Sequence, residues 1–439
     1  MDHRLLFHGC MNAKWLLLSL VLPACSPPDP GPPDTAPPVE RKHVLTITPS
    51  MDLLFVIDDS ASMLDKQNAF NRAFPSLLAQ LQTADGGLPN LHMGVVSTDL
   101  GTSAAGGGTP APTIGAIGQG GCAAFGKEGK LTVGAATVEG KYLEVNRNGT
   151  DNFTGTIADA FDAMTKLGGF GCGFEQQLGA MRMALDNNPA NTGFVRESAN
   201  LGVVVLSDED DCSASNPALF AATGPDLGAL DSFRCFRHGV ECAEDVTTVG
   251  VKTQCKPATA SAYVSDVTPF KDFLVGLKKA EARRVMFGAI IADPTKVAVE
   301  MRTSPSGGAP APALDHACDF TTANGPAVAD PGVRFAALAA ALPRSKVTSI
   351  CDDDLTAQAT QLGQALKGLV NDTCLVERLA PAADCLVTDH FADGTTADVQ
   401  FTITDDATCA GSNQRVQITH AAQAAFDTFS TLACAPPSL

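Results

Sequence analysis

Positive charge is in short supply in this chain. Lysine and arginine number 30 against 48 aspartates and glutamates, a formal net charge of −18. Such a balance argues against nucleic acid as a partner and against attachment to an anionic membrane by charge. Long apolar runs are missing too. The N-terminal run Trp15–Leu22, WLLLSLVL, has eight residues, far below the ~20 that a membrane-spanning helix needs. No C-x₂-C pair occurs, and Cys235, Cys242 and His238 are too loosely spaced for a convincing zinc set. The chain has no GxxxxGK[ST] phosphate loop and no G-x-S-x-G elbow. His92, His238, His316, His390 and His420 pair with no recognisable nucleophile. These absences leave no catalytic constellation, so the chain is not expected to be an enzyme. No internal repeat is found.

What is present begins with export. Arg4 and Lys14 precede the Trp15–Leu22 run, as in a signal sequence. The run ends at Leu22-Pro23-Ala24-Cys25, which resembles the lipobox of bacterial lipoproteins. That resemblance implies cleavage before Cys25 and lipidation of its sulfur; the alternative is an ordinary secretory signal with an incidental cysteine. Met1 and Met11 are both candidate starts. Ser26–Val39, SPPDPGPPDTAPPV, is a proline-rich spacer that would hold the folded part away from an anchor at Cys25.

Cysteine usage agrees with export. Beyond Cys10 and Cys25, twelve cysteines remain: Cys122, Cys172, Cys212, Cys235, Cys242, Cys255, Cys318, Cys351, Cys374, Cys385, Cys409 and Cys434. An even number in an exported chain implies six disulfides, with the pairing open.

With 439 residues, 45% of them apolar, the chain can bury a full core. Strand and helix patterns alternate from His43 to Val370. Strands are expected at Asp52–Ile57, Leu91–Ser97, Gly202–Leu206 and Val285–Ile291, those over Leu53–Ile57 and Gly202–Leu206 continuously apolar, with His43–Thr48 as a first strand. Phe70, Phe74, Leu77, Leu78 and Leu81 mark a helix over Leu64–Leu81, in which Pro75 predicts a kink or a late start. Further helices are expected over Thr156–Leu167, Glu175–Leu185, Val267–Lys279, Val333–Leu342 and from Leu355 to Leu369. Alternation of this kind predicts a doubly wound, mostly parallel α/β sheet with helices on both faces. After Cys374 the pattern changes to period two, which predicts a small disulfide-bonded β module.

Two of the buried strands end in acid. Leu53–Ile57 runs into Asp58, Asp59, Ser60, Ala61 and Ser62, and GVVVL runs into Ser207-Asp208-Glu209-Asp210-Asp211. In an open α/β sheet, ligands bind beyond the carboxyl ends of the strands. A carboxylate with hydroxyls at alternate positions, Asp58-x-Ser60-x-Ser62, suits a hard divalent cation; the plainer alternative is that Asp58 or Ser60 caps the next helix.

Over roughly residues 43–370 the chain resembles a von Willebrand factor type A (VWA) domain. Asp58-x-Ser60-x-Ser62 matches the metal-ion-dependent adhesion site (MIDAS) motif of that family, LLFVI its first central strand, and Asp208 the aspartate after its fourth strand. The resemblance implies a metal site of Asp58, Ser60, Ser62 and Asp208, with Glu175 and Asp210 as weaker candidates. It implies Mg²⁺, or else Mn²⁺ or Ca²⁺, and a protein partner whose acidic side chain completes the metal shell. One family feature is missing: the loop Gly168–Glu175 has no threonine, and Cys172 stands near its expected place.

The expected organisation is a signal over 1–24, a lipidated tether over 25–42, a VWA-like domain over 43–372 with a cysteine-rich insertion at about 212–262, and a β module over 373–439. The expected function is metal-dependent protein binding or adhesion by a monomeric lipoprotein of the bacterial cell envelope, anchored at the outer membrane. The alternatives are a metal-free scaffold, or a metal-dependent hydrolase with Glu175 or Glu209 as base.

Overall fold

A computed structural model describes residues 40–84, 87–146, 151–224, 226–303, 309–380, 384–420 and 428–435. The expected signal over 1–24, Cys25 and the proline-rich stretch lie outside the described residues. Among those described, no helix is long and apolar enough to cross a membrane.

Two strands open the fold, β1 (Lys42–Ile47) and β2 (Ser50–Ile57). All eight residues of β2 are buried, which a strand of LLFVI type can satisfy only at the centre of a sheet covered on both faces. β2 lies between β3 (Asn90–Ser97) and β5 (Asn200–Leu206); β4 (Leu143–Val145) flanks β3, and β6 (Val285–Ile291) and β7 (Ser345–Ser349) extend the other side. The order is β7-β6-β5-β2-β3-β4. Five of these strands are parallel, and β4 runs antiparallel on β3. Side-chain alternation divides β2 between two cores. Leu53, Phe55 and Ile57 enter one cluster with α1 (Leu64–Gln82) and α2 (Ile157–Thr165). Leu54 and Val56 enter another with α3 (Gln177–Leu185). In the first, Phe74 stacks on Phe161 with centroids 3.7 Å apart, and Phe55 meets the edge of that pair at 4.6 Å. Each such ring contributes about 1.5–3 kcal/mol by burial. The helix α1 continues through Pro75, which lies on its exposed side.

After β5 come α4 (Phe233–Gly239), α5 (Thr268–Gly276), α6 (Val333–Ala340) and α7 (Thr356–Lys367). The helix α4 arises in a cysteine-rich stretch without helical periodicity. It is fixed by Cys212–Cys235 and by the buried Arg234 guanidinium, which donates to the carbonyls of Leu219, Ala221, Gly228 and Ala229. All twelve cysteines form disulfides: 122–172, 212–235, 242–255, 318–351, 374–409 and 385–434.

A second sheet is built from β8 (Cys385–His390), β9 (Thr396–Asp405), β10 (Gln414–Thr419) and β11 (Phe429–Cys434), in the order β1-β11-β8-β9-β10. The first strand of the fold thus pairs with the last, Lys42 opposite Cys434. Glu281 ties this strand to the α/β part by accepting from the Thr46 amide and hydroxyl at 2.9 and 2.8 Å.

The expected fold class, a doubly wound mostly parallel sheet, is corrected. Among the described residues helix accounts for 23% and strand for 30%. Of the five sheets among the described residues, the six-stranded one is mixed and the other four are antiparallel throughout. The cause lies in the connections. Cysteine-stapled segments such as Cys318–Thr322 with Gly325–Ala329 close through short turns, and a short turn allows only antiparallel pairing.

Candidate functional site

The parallel register brings the strand ends together. Ile57 lies opposite both Ser97 and Leu206, so the chain leaves β2, β3 and β5 at one level. Asp58 therefore sits beside Ser207, whose hydroxyl donates to its Oδ2 at 2.7 Å. The other oxygen, Oδ1, accepts from the Ser60 amide at 2.9 Å. Ser60 and Ser62 hydroxyls are 3.2 Å apart. Gln67, on the first turn of α1, bonds the carbonyls of Asp58 and Gly168 at 2.8 and 2.9 Å, which pins the Asp58 loop to the glycine-rich loop.

Asp58 is fully buried, and burial followed by repulsion from Asp208 pushes its carboxyl up to about 7 against the bonds from Ser207 and Ser60. Glu175 and Glu209 are also held well above the usual carboxylate range. Burial is the main cause for both, followed by Glu209 and Asp58 acting on Glu175, and by Asp330 and Asp208 acting on Glu209. Two oxygens here, Asp208 Oδ1 and Glu175 Oε1, are buried without a hydrogen-bond partner.

The group that faces Asp208 is a lysine. Lys66 Nζ lies 2.5 Å from Asp208 Oδ2 and 3.1 Å from the Ser62 carbonyl, and the two side chains are 2% and 3% exposed. Its ammonium also stands over the Phe320 ring at 5.7 Å. Sequence reading missed this residue, although a signal was available: Lys66 is four residues before Phe70, on the stripe that α1 buries.

Asp58, Ser60 and Asp208 thus gather at one place with Ser62 at its rim, and Glu175 lies within electrostatic reach of Asp58. Asp210 does not join them. Both its oxygens accept from the Arg334 amide, at 3.1 and 3.0 Å, at the start of α6, and burial pushes it to about 7 despite Arg334. Asp211 is spent similarly, on the Leu178 amide and the Arg334 guanidinium. Cys172 is bonded to Cys122 and offers no thiolate. Thr98, another residue missed, directly follows β3 with a buried hydroxyl that has no partner.

A divalent cation does not fit these residues as arranged. Asp208 already holds an ammonium, and the Gly168–Glu175 loop brings no hydroxyl. Among the described residues no three of His, Cys, Asp and Glu are grouped to hold a metal.

The rim is different in character. Gly169 packs against the Ser60–Ala61 backbone, where a Cβ would come within 3.2 Å of Ala61 Cα. The next residue, Phe170, is 72% exposed, and Leu64, the first residue of α1, is 50% exposed. A cavity of about 380 Å³ is lined by Glu209, Asp210 and Asp330 together with Phe233, Phe236 and Leu314.

No protein-family description matches the chain, and no curated protein matches it. Solved structures similar to it include a von Willebrand factor type A protein from Catenulispora acidiphila, at 12% identity and a TM-score of 0.31, covering 91% of this chain and 62% of that one. Proximal thread matrix protein 1 from the mussel byssus is similar at 10% identity and a TM-score of 0.31, covering 79% and 52%. A pilus adhesin from Streptococcus pneumoniae is similar at 12% identity and a TM-score of 0.21, covering 90% and 58%. The chain spans about half to three-fifths of the length of these structures. The likeness is one of fold at its coarsest, and the site is argued from its own residues.

Proposed function

We propose that the chain is an exported, disulfide-stabilised recognition protein that binds a protein partner at the strand-end crevice of its six-stranded sheet without a metal ion. The observation that carries this reading is the pairing of exposed Phe170 and Leu64 with a buried polar floor of Asp58, Ser60 and Asp208. Exposed aromatic and aliphatic side chains around a polar centre are the usual make-up of a protein-binding patch. Six disulfides support an oxidising compartment. The same reading includes a lipid anchor at Cys25 in the bacterial cell envelope and a monomeric chain.

A second reading keeps divalent-cation-dependent recognition, with Mg²⁺, Mn²⁺ or Ca²⁺ bridging to an acidic side chain of the partner. It is favoured by the partnerless oxygens Asp208 Oδ1 and Glu175 Oε1, and it requires Lys66 to leave Asp208.

Affinity capture from envelope extracts tests the choice, using the wild type and Phe170→Ser, each with and without a chelator. The metal-free reading expects one partner that survives chelation and is lost with Phe170→Ser. Loss on chelation alone supports the second reading, and capture unaffected by either change removes the crevice from consideration.

A further inference from the structure

We infer that Lys66 is the resident cation of the strand-end site: its ammonium holds Asp208 where a divalent ion would otherwise bind, and replacing it with a neutral side chain opens the site to a metal. The inference rests on the reading of this crevice as the functional face, and it concerns the chemistry of the crevice alone.

The local geometry carries it. A buried ammonium is costly to desolvate and persists only where carboxylates or carbonyls receive its protons. Lys66 finds both, in Asp208 Oδ2 at 2.5 Å and the Ser62 carbonyl at 3.1 Å. Its position is set by α1, whose buried stripe continues from Lys66 to Phe70 and Phe74, so the ammonium is placed by the same packing that holds the helix on the sheet. Around it lie the oxygen ligands that a hard cation prefers: the Ser60 and Ser62 hydroxyls 3.2 Å apart, and Asp208 Oδ1 with no partner. One positive charge faces several buried carboxyls, so the acidic side is in excess. A divalent ion brought in beside Lys66 would meet the ammonium at short range, and that repulsion is what excludes it. Methionine at position 66 retains an unbranched apolar stem against Phe320 and removes the charge.

Mn²⁺ titration of the purified protein by isothermal calorimetry, with thermal unfolding in parallel, tests this. Wild type is expected to show no saturable Mn²⁺ site that depends on Asp58. Lys66→Met is expected to gain one saturable site, at least about tenfold tighter than any non-saturating Mn²⁺ uptake by wild type, and to lose it again in Lys66→Met/Asp208→Asn. If Lys66→Met does not fold, Lys66→Gln can still donate to the Ser62 carbonyl and serves the same comparison. A wild-type Mn²⁺ site abolished by Asp58→Ala overturns the inference, as does a folded neutral variant that binds Mn²⁺ no better than wild type. Neither result bears on partner capture through Phe170, so failure here is distinct from failure of the recognition reading.

Discussion

At the start of β2, Asp52 is fully buried and receives the Arg196 amide at 2.7 Å, the Arg196 guanidinium at 2.8 Å and the Lys278 ammonium at 3.3 Å. Six residues on, at the other end of the same strand, Asp58 is equally buried but faces Asp208, Glu175 and Glu209, with Lys66 as the cation among them. One end has more cations than carboxylates, and the other has more carboxylates than cations. The consequences are opposite. At the first end burial depresses Lys278 to about 8 even with Asp52 beside it. At the second it raises Asp58 to about 7. A buried charge whose partners are complete serves the fold. A buried cluster left with an excess of one sign is poised to take up something else, and here it takes up a lysine from its own chain.

The largest expected effect is at the balanced end. Asp52→Ala removes the carboxylate that faces Lys278 and two of the four Arg196 hydrogen bonds, leaving Lys278 only the Arg196 carbonyl, and should cost about 3–5 kcal/mol in denaturant unfolding. A loss below about 1 kcal/mol would erase the contrast.

A second carboxylate of the balanced kind is Glu281. Burial alone would raise it, but His43, Arg284 and Thr46 together bring it down to about 2. A depressed carboxyl contributes stability that is complete above its unfolded value of about 4.5 and is lost as the pH falls through about 2. The contribution is about 3 kcal/mol at most. The difference in unfolding free energy between wild type and Glu281→Gln should therefore shrink steadily from pH 5 to pH 2. A difference that stays constant would show that Glu281 does not join the two sheets electrostatically.

The smallest effect is expected at the unbalanced end. Asp58→Asn removes a repelling charge while retaining an acceptor for the Ser60 amide, and the Ser207 hydroxyl can accept as well as donate. Its stability should lie within about 1 kcal/mol of wild type. A loss as large as that of Asp52→Ala would mean that Asp58 is structural after all.

Much of this was legible in the sequence. The buried strands over Asp52–Ile57 and Gly202–Leu206, their acidic ends and the convergence of Asp58, Ser60, Ser62 and Asp208 follow from apolar runs that stop in polar residues. Twelve cysteines indicated six disulfides, and their pairing needed the structure. Other features depended on tertiary partners. The strand Lys42–Ile47 carries no mark that its partner is Phe429–Cys434, hundreds of residues away. Antiparallel hairpins within the connecting segments made the sheets more varied than a βα alternation suggests. The helix starts at Leu64 and runs through the exposed Pro75, so Pro75 marks no late start. Asp210 was offered as a weak ligand, and the amide it accepts from, that of Arg334, lies 124 residues on. Lys66 was overlooked because a lysine at the head of a helix reads as solvated, and only its place on the buried stripe suggests otherwise.

On the proposal made above, Lys66 and not a metal holds Asp208 in the native protein. A crystal of the wild type soaked in Mn²⁺ and measured for anomalous scattering tests it most directly. No anomalous peak is expected among Asp58, Ser60, Ser62 and Asp208, with Lys66 Nζ in hydrogen-bond contact with Asp208. A peak bonded to those oxygens, with Lys66 turned away, would contradict it.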